Sequence, residues 1–318
     1  MMKAIKKLDA PKIILGLMSG VSIFIILLIF VFVFSKAFPV LKASGMGLFS
    51  NTGFDVQISD AFYSLDDDPM LVFGMLGLIT GTFLSSGLAL VFASIIGIGA
   101  SIIISEFASE KIAVLFTGAV RLLASIPSVV FGLIGMIVIV PAVENTFVDV
   151  DMQIKYLRFF QMSGRNLLSS ILVLTFMIVP TVVSLSVDAI NDVPKSLRET
   201  GAAFGMNKFA VVWKIVIPAS KSGIIASIIL AAGRGIGESI AVSMVCGGVG
   251  FLPEVSFGFV NLLAPTLPLS AAIINKSEAM GSYAVESALF TCGAILLILG
   301  AVLSVTARVF AKKLSAKG

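Results

Sequence analysis

The sequence predicts an all-α polytopic membrane protein with six transmembrane helices, and three observations carry that prediction. Of 318 residues, 58% are apolar and only 13% charged, with a mean hydropathy of +1.10; a soluble domain carries about twice that charged share. Six charge-poor runs each reach the roughly 20 apolar residues that a helix needs to cross a bilayer. The positive charges are lopsided: with the N-terminus inside, 14 of the 22 Lys and Arg fall on the inner side, six fall outside, and Arg121 and Arg234 lie within spans. Positive residues favour the cytoplasmic side, so both termini are expected there and the span count is even. The same composition excludes a disordered chain, a disulfide-built secreted domain and an ordinary soluble enzyme.

The first run, Ile13 to Ser35, follows Lys3, Lys6 and Lys7. A signal peptide starts in the same way, but this run is longer than a usual h-region and no A-x-A site follows, so it reads as a retained helix. Residues 1–38 are the cytoplasmic N-terminus and first transmembrane helix, and residues 39–70 an external acidic loop with Asp66, Asp67 and Asp68 in a row. That loop reads as solvated, without the full ligand set of a calcium loop. Residues 71–312 hold the other five spans. Leu71 to Ser105 is charge-free and longer than one crossing. Ile112 to Val143 is interrupted only by Arg121, with Pro127 as a kink. Asn166 to Val187 is clean, Ser222 to Pro253 contains Arg234 and Glu238, and Ser287 to Ala307 is clean. A seventh stretch, Val255 to Asn275, carries Pro265 and Pro268, which suit a regular span poorly; it reads as a folded external segment, in part inserted. Cys246 and Cys292 lie in apolar segments, as packing thiols do. There is no His, the commonest general base and metal ligand.

Between the fourth and fifth spans lies a basic loop, Asn191 to Ala219. Asp192 can cap a short helix with Pro194 in its first turn; Leu197, Ala202, Ala203 and Phe204 give it an apolar side, and Gly205 is placed to end it. A second amphipathic stretch runs from Lys208 to Val216, ahead of Pro218. Such a loop can lie on lipid headgroups, or it can dock a helix into a groove of a soluble partner.

Glu199, Gly205, Ile215 and Pro218 match the spacing E-x5-G-x9-I-x2-P. In this the loop resembles the EAA loop of the ABC importer permeases, by spacing rather than letter for letter, since Glu199-Thr200-Gly201 stands where Glu-Ala-Ala is usual. The resemblance implies a type I ABC importer permease (MetI-like) core. It also makes Glu199, Ala202, Ala203, Phe204 and Gly205 part of a coupling helix that sits in a cleft of an ATPase subunit. The chain has no G-x-x-x-x-G-K-[ST] run. ATP and Mg are therefore expected on a partner ATPase, with no cofactor on this chain, which reads as a non-catalytic subunit.

Arg234 and Glu238 stand four apart in the fifth span and can pair on one helix face. A charge at the membrane centre costs about 2.5–3.5 kcal/mol on insertion scales, so chance placement is disfavoured. The two residues can cross-link helices, or they can line a substrate path. In the second case the planar fork of Arg suits phosphate oxygens, and Glu238 keeps the anion from being held too tightly. Gly233 and Gly237 have the small-xxx-small spacing of close helix approach. Arg121 sits about ten residues into the third span, near enough to the inner side to snorkel. The turn holding Ser125, Pro127 and Ser128 either opens backbone groups to the path or is a plain kink.

Leu122 to Gly135 (LLASIPSVVFGLIG), Phe73 to Ala108 and the G-R-x-x-G-E of the fifth span look like the permeases of the phosphate-specific ABC importer. The first span, the acidic outer loop and the F-G-x-L-x-x-x-x-G-T start of the second span resemble the PstC type more than its sister PstA. The resemblance implies inorganic phosphate as cargo and ties Arg234 and Glu238 to its passage, with Arg121, Ser125 and Ser128 as further path candidates. It implies a second homologous permease (PstA-like), two ATPase subunits (PstB-like) and an external phosphate-binding protein (PstS-like), in a bacterial or archaeal cell (inner) membrane. No nucleic acid is expected. Two other readings stay open: the same class with sulfate, molybdate or another solute as cargo, and an ion-coupled secondary transporter using Arg234 and Glu238 as a relay. The second usually shows inverted repeats, and none is visible here.

Overall fold

A computed structural model describes residues 10–64, 69–252 and 255–315. Among the described residues, six helical segments are long and apolar enough to cross a membrane: 14–49, 76–107, 128–147, 167–191, 208–237 and 283–306. Asp66, Asp67 and Asp68 lie outside the described residues.

α1 (Ala10–Ser44) is apolar on every side, and its side chains from Ile14 to Ile29 stand exposed, as on a helix surrounded by lipid. It runs past residue 38 and packs antiparallel along α14 (Tyr283–Ser315). Lys36 Nζ lies 2.9 Å from Glu286 Oε1, and Ser287 donates to the Lys36 carbonyl at 2.8 Å. The expected acidic loop is largely folded. α2 (Phe54–Phe62) buries Phe54, Ile58 and Ala61, one helical stripe, and Asp55 Oδ1 accepts from the Gly250 amide at 2.9 Å.

α3 (Leu76–Ile102) ends in a π turn, Ile103–Phe107. The third apolar run is not one helix. α4 (Glu110–Ser125) stops, Ile126 and Pro127 are extended (ψ 131° and 138°), and the crossing proper is α5 (Ser128–Ile134), a π turn and α6 (Val140–Phe147). Proline removes a donor and drives the preceding residue out of the helical region, so Pro127 makes a break where a kink was expected. α7 (Val150–Tyr156) is capped by Asp149, and α8 (Leu167–Asn191) by Asn166, whose side chain accepts from the Ser169 amide.

α9 (Lys195–Ala203) is the short helix expected in the basic loop. Asp192 does not cap it; Pro194 holds that position without a side-chain bond. α10 (Lys208–Val211), a π turn over Val212–Val216 and α11 (Ile217–Gly237) follow without interruption, so the second amphipathic stretch is the start of the fifth span. The π turn absorbs Pro218, whose missing N–H would otherwise break the helix there. α12 (Ile240–Val245) follows a second break, at Glu238.

Residues 255–275 make no crossing. A 3-10 segment (Val255–Leu263) leads through buried irregular backbone into α13 (Leu269–Asn275). Backbone at this depth has to be bonded inside the protein. Thr266 donates to Cys246 (2.7 Å), Leu167 donates to Ala264 (3.0 Å), and the Leu269 amide meets Thr82 Oγ1 at 2.9 Å. Cys246 and Cys292 are free and buried.

The parallel α3–α8 pair is the centre of the bundle, with Gly97 against Val182 and Ile102 beside Ile190, and Leu78, Ala89, Ala93, Leu174, Met177, Ile178 and Val182 in its core. At Gly97 a Cβ would stand 2.7 Å from Val182 Cγ1, so the contact requires glycine. α11 joins through the Ser186–Ser227 hydroxyl bond, 2.8 Å.

Candidate functional site: a broken-helix polar centre and an exposed short helix

The break between α4 and α5 is met by one side chain, that of Arg234, which stands one turn before the break at Glu238. The Ile126–Pro127 break deprives the Ala124 carbonyl of its helical donor. Arg234 Nη1 approaches that oxygen at 3.4 Å and donates to Thr181 Oγ1 at 2.8 Å. Thr181 lies ten residues before the end of the 25-residue α8, about 15 Å along the axis, so Arg234 meets α8 well inside its length. Nε and Nη2, the edge that grips an oxyanion in a bidentate way, make no hydrogen bond to the described residues.

The expected Arg234–Glu238 pair does not form. Glu238 keeps a helical φ (−72°) while its ψ (113°) ends α11, and its side chain turns forward to the chain after the break instead of back to Arg234. Glu238 Oε1 instead accepts from the Ala241 amide at 3.1 Å at the start of α12, and the Glu238 carbonyl accepts from Ser270 at 2.8 Å. Among the described residues Arg234 has no carboxylate within ion-pair distance, which leaves uncompensated positive charge inside the fifth span. Ser125, exposed, donates to its own helix at Leu122 (2.7 Å), and half-buried Ser128 opens α5 directly across the break.

Arg121 is not inside the third span. It lies on α4, one turn before Ala124, and pairs with Asp188 near the end of α8 at 2.7 Å, with both side chains about half exposed. Gly233 and Gly237 are not close-approach positions either: a Cβ at Gly237 meets nothing within 4 Å and one at Gly233 meets only Leu303, at 3.9 Å. The close contact belongs to Gly235, whose Cβ would come 2.9 Å from Ile178 Cδ1.

The second cluster lies at the end of the bundle. Glu199, Ala202, Ala203, Phe204 and Gly205 are all exposed, Phe204 to 82%. Gly205 has φ +74°; its amide bonds to the Ala202 carbonyl (2.9 Å) and the Met206 amide to Gly201 (3.2 Å), the two bonds of a Schellman end. Gly201 packs against Ile215, where a Cβ would stand 2.6 Å from Cδ1. The glycine that departs from Glu-Ala-Ala therefore fits closely under the isoleucine of the same motif. Sequence reasoning missed Thr181, Asp188, Gly201, Arg198 and Glu106. Glu106, the lone acid ending a long charge-free run, was the readable signal.

Six spans, a charged centre at two broken helices and an exposed short helix between the fourth and fifth spans define a membrane transport component. A family model described as the binding-protein-dependent transport system inner membrane component matches residues 93–316, and the chain belongs to that family. Similar proteins include the phosphate transport system permease protein PstC of Pasteurella multocida, 32% identical over 248 residues (75% of each chain). PstC 2 of Mycobacterium tuberculosis is 32% identical over 226 residues, 69% of this chain and 67% of that one. Among solved structures, the inward-facing MetNI methionine ABC transporter aligns at TM-score 0.54 and 15% identity, covering 74% of this chain and 93% of its own. A bacterial alginate ABC transporter aligns at 0.52 and 15%, covering 94% of both. At such identity the two structures speak for the fold.

Proposed function

We propose that this chain is the permease subunit of an ATP-driven importer of inorganic phosphate. It would form the translocation path with a second, PstA-like permease, two PstB-like ATPase subunits carrying ATP and Mg, and a PstS-like external binding protein. The observation that carries the reading is the exposed, glycine-terminated helix α9 with Phe204 at its tip: a large aromatic held in water at the end of a short helix suits a cleft on a soluble partner. The names of the similar permeases and the free edge of Arg234 support phosphate as cargo. The excess of Lys and Arg at the α9 end supports a cytoplasmic location for that end and both termini.

ATP binding closes the ATPase pair and moves α9. The spans then open outward, and the binding protein delivers phosphate to the cavity between the permeases. Arg234 offers Nε and Nη2 to the anion while Thr181 and the Ala124 carbonyl hold its other nitrogen. With Glu238 turned away to cap α12, the guanidinium meets the anion without a competing carboxylate. Hydrolysis returns the path to its inward form. This chain makes and breaks no covalent bond.

The test is purification of the tagged chain from its native membrane in mild detergent, followed by reconstitution. The expected result is an ATPase and a related permease in the same complex, with labelled phosphate uptake that needs ATP and withstands excess sulfate. Flux through this chain alone without ATP would overturn the reading, and strong sulfate competition would overturn the cargo.

A further inference from the structure

One ion pair, used by neither the path nor the docking face, is largely enclosed. Arg198 on α9 donates Nε (3.1 Å) and Nη2 (2.8 Å) to Glu106 Oε1, Nη2 also to the Ile190 carbonyl (2.8 Å), and Nη1 to the Val193 carbonyl. The Arg198 and Glu106 side chains are 24% and 8% exposed, well below the Lys36–Glu286 and Arg121–Asp188 pairs. Enclosing an ion pair is a poor route to stability, because desolvation offsets the attraction. What the pair achieves is geometric.

Three elements meet at this guanidinium. α9 carries it. The end of α8 supplies the Ile190 carbonyl and the linker after it the Val193 carbonyl, at a helix C-terminus that favours a cation. The π turn closing α3 supplies Glu106. The chain already joins α9 to α8 through residues 192–194 and to α10 through 204–207. No such connection reaches α3, ninety-two residues back along the sequence. α3 is the partner of α8 at the bundle centre, and α8 carries Thr181, which holds Arg234. Glu199, the motif acid on α9, lines the same groove as Glu106 and Arg198, so a load applied there acts beside the pair.

We propose that Arg198 and Glu106 are positioning residues that tie the coupling helix to α3, so that displacement of α9 drives the α3–α8 pair as a unit. The proposal rests on the coupling-helix reading of α9. Glu106→Gln keeps the side chain's shape and leaves Arg198 its two carbonyl acceptors, so α9 stays seated while the tie to α3 weakens. Arg198→Lys keeps a charge but cannot reach all three acceptors at once.

In vesicles holding the purified complex with its binding protein, wild type fixes the ratio of phosphate moved to ATP hydrolysed. Both variants are expected to retain ATPase subunits within twofold of wild type and to go on hydrolysing ATP, while phosphate moved per ATP falls tenfold or more. An unchanged ratio would overturn the tie. Loss of the ATPase subunits from both variants would also overturn it, leaving the pair only a seat for α9. Should Glu106→Gln not accumulate, Glu106→Asp, one methylene shorter, gives the same comparison. A wild-type complex lacking any ATPase would instead overturn the coupling-helix reading, a failure seen at purification before any ratio is measured.

Discussion

Gly205 offers a perturbation whose cost can be worked from the backbone alone. Its φ of +74° is left-handed, and a Cβ built there meets no atom within 4 Å. Substitution therefore meets no neighbour, and the whole penalty is conformational. An L-residue pays about 1–2 kcal/mol for the left-handed region, a factor of roughly 5–30 in the population of the correctly ended helix. α9 has nine residues, too few to stand without its end contacts. Asn tolerates this region several-fold better than most residues, whereas β-branched Val is poorest. Retention of the ATPase subunit on the tagged chain, read with phosphate uptake, should therefore rank Gly205, Gly205→Asn, Gly205→Ala, Gly205→Val. Steric size alone would put Ala ahead of Asn, so that one comparison decides between the two causes. Gly205→Asp has a backbone tolerance near that of Asn, and any further deficit reports the charge at the docking surface. Ala equal to Gly, or better than Asn, would refute the left-handed turn as the shaping element.

Phe204→Ala should leave the chain's own unfolding unchanged, because the ring is exposed, yet weaken ATPase retention by about 30-fold if the ring is a buried anchor worth about 2 kcal/mol in the complex; co-purification against detergent-melting curves separates the two. Arg234→Gln should lower phosphate uptake tenfold or more with the complex intact, the scale of losing about 1.5–3 kcal/mol of charged hydrogen bonding; normal uptake would leave Arg234 only its link to Thr181 and α4. Gly97→Ala should destabilise by about 1–3 kcal/mol by overpacking on buried Val182, while Gly99→Ala, two residues along α3 with nothing within 4 Å, should be neutral or stabilising; equal melting temperatures for the two variants would contradict the packing.

Much of this was legible because single-residue properties decide it. Charge-poor apolar runs marked the six crossings, and a proline pair kept residues 255–275 from being a seventh. Gly205 announced its left-handed turn, since few other residues adopt one freely. What was not legible depends on partners distant in sequence. Arg198 could be read only as a loop cation, because Ile190, Val193 and Glu106 come to it through the fold. Arg234 and Glu238 misled for the opposite reason. Their four-residue spacing implies an ion pair, and only the break at Glu238, which offers its carboxylate the Ala241 amide, takes that pair away. The same limit applied at Pro127, where sequence marks an irregularity but not whether the helix bends or stops.

That stop has a consequence for how the centre can work. A continuous third span would keep the Ala124 carbonyl inside its own helix and leave Arg234 one protein acceptor, Thr181. With α4 and α5 separated, Arg234 links α11 to α4 as well as to α8, and Arg121 clamps α4 to α8 again one turn away through Asp188. α4 is thereby held to the α8–α11 core by side chains at both points, while the Ile126–Pro127 joint frees it from α5. α4 also rests on this core through Ala113 and Val120, packed against Ile104, Val183 and Val187, so a shift of α4 has to slide that contact as well as exchange hydrogen-bond partners. An anion arriving at Nε and Nη2 would compete for the orientation of the same guanidinium that holds the Ala124 carbonyl. Occupancy at the guanidinium and the position of α4 are then two readings of one side chain, which is why Arg234→Lys, retaining charge but not the fork, should lose transport nearly as fully as Arg234→Gln.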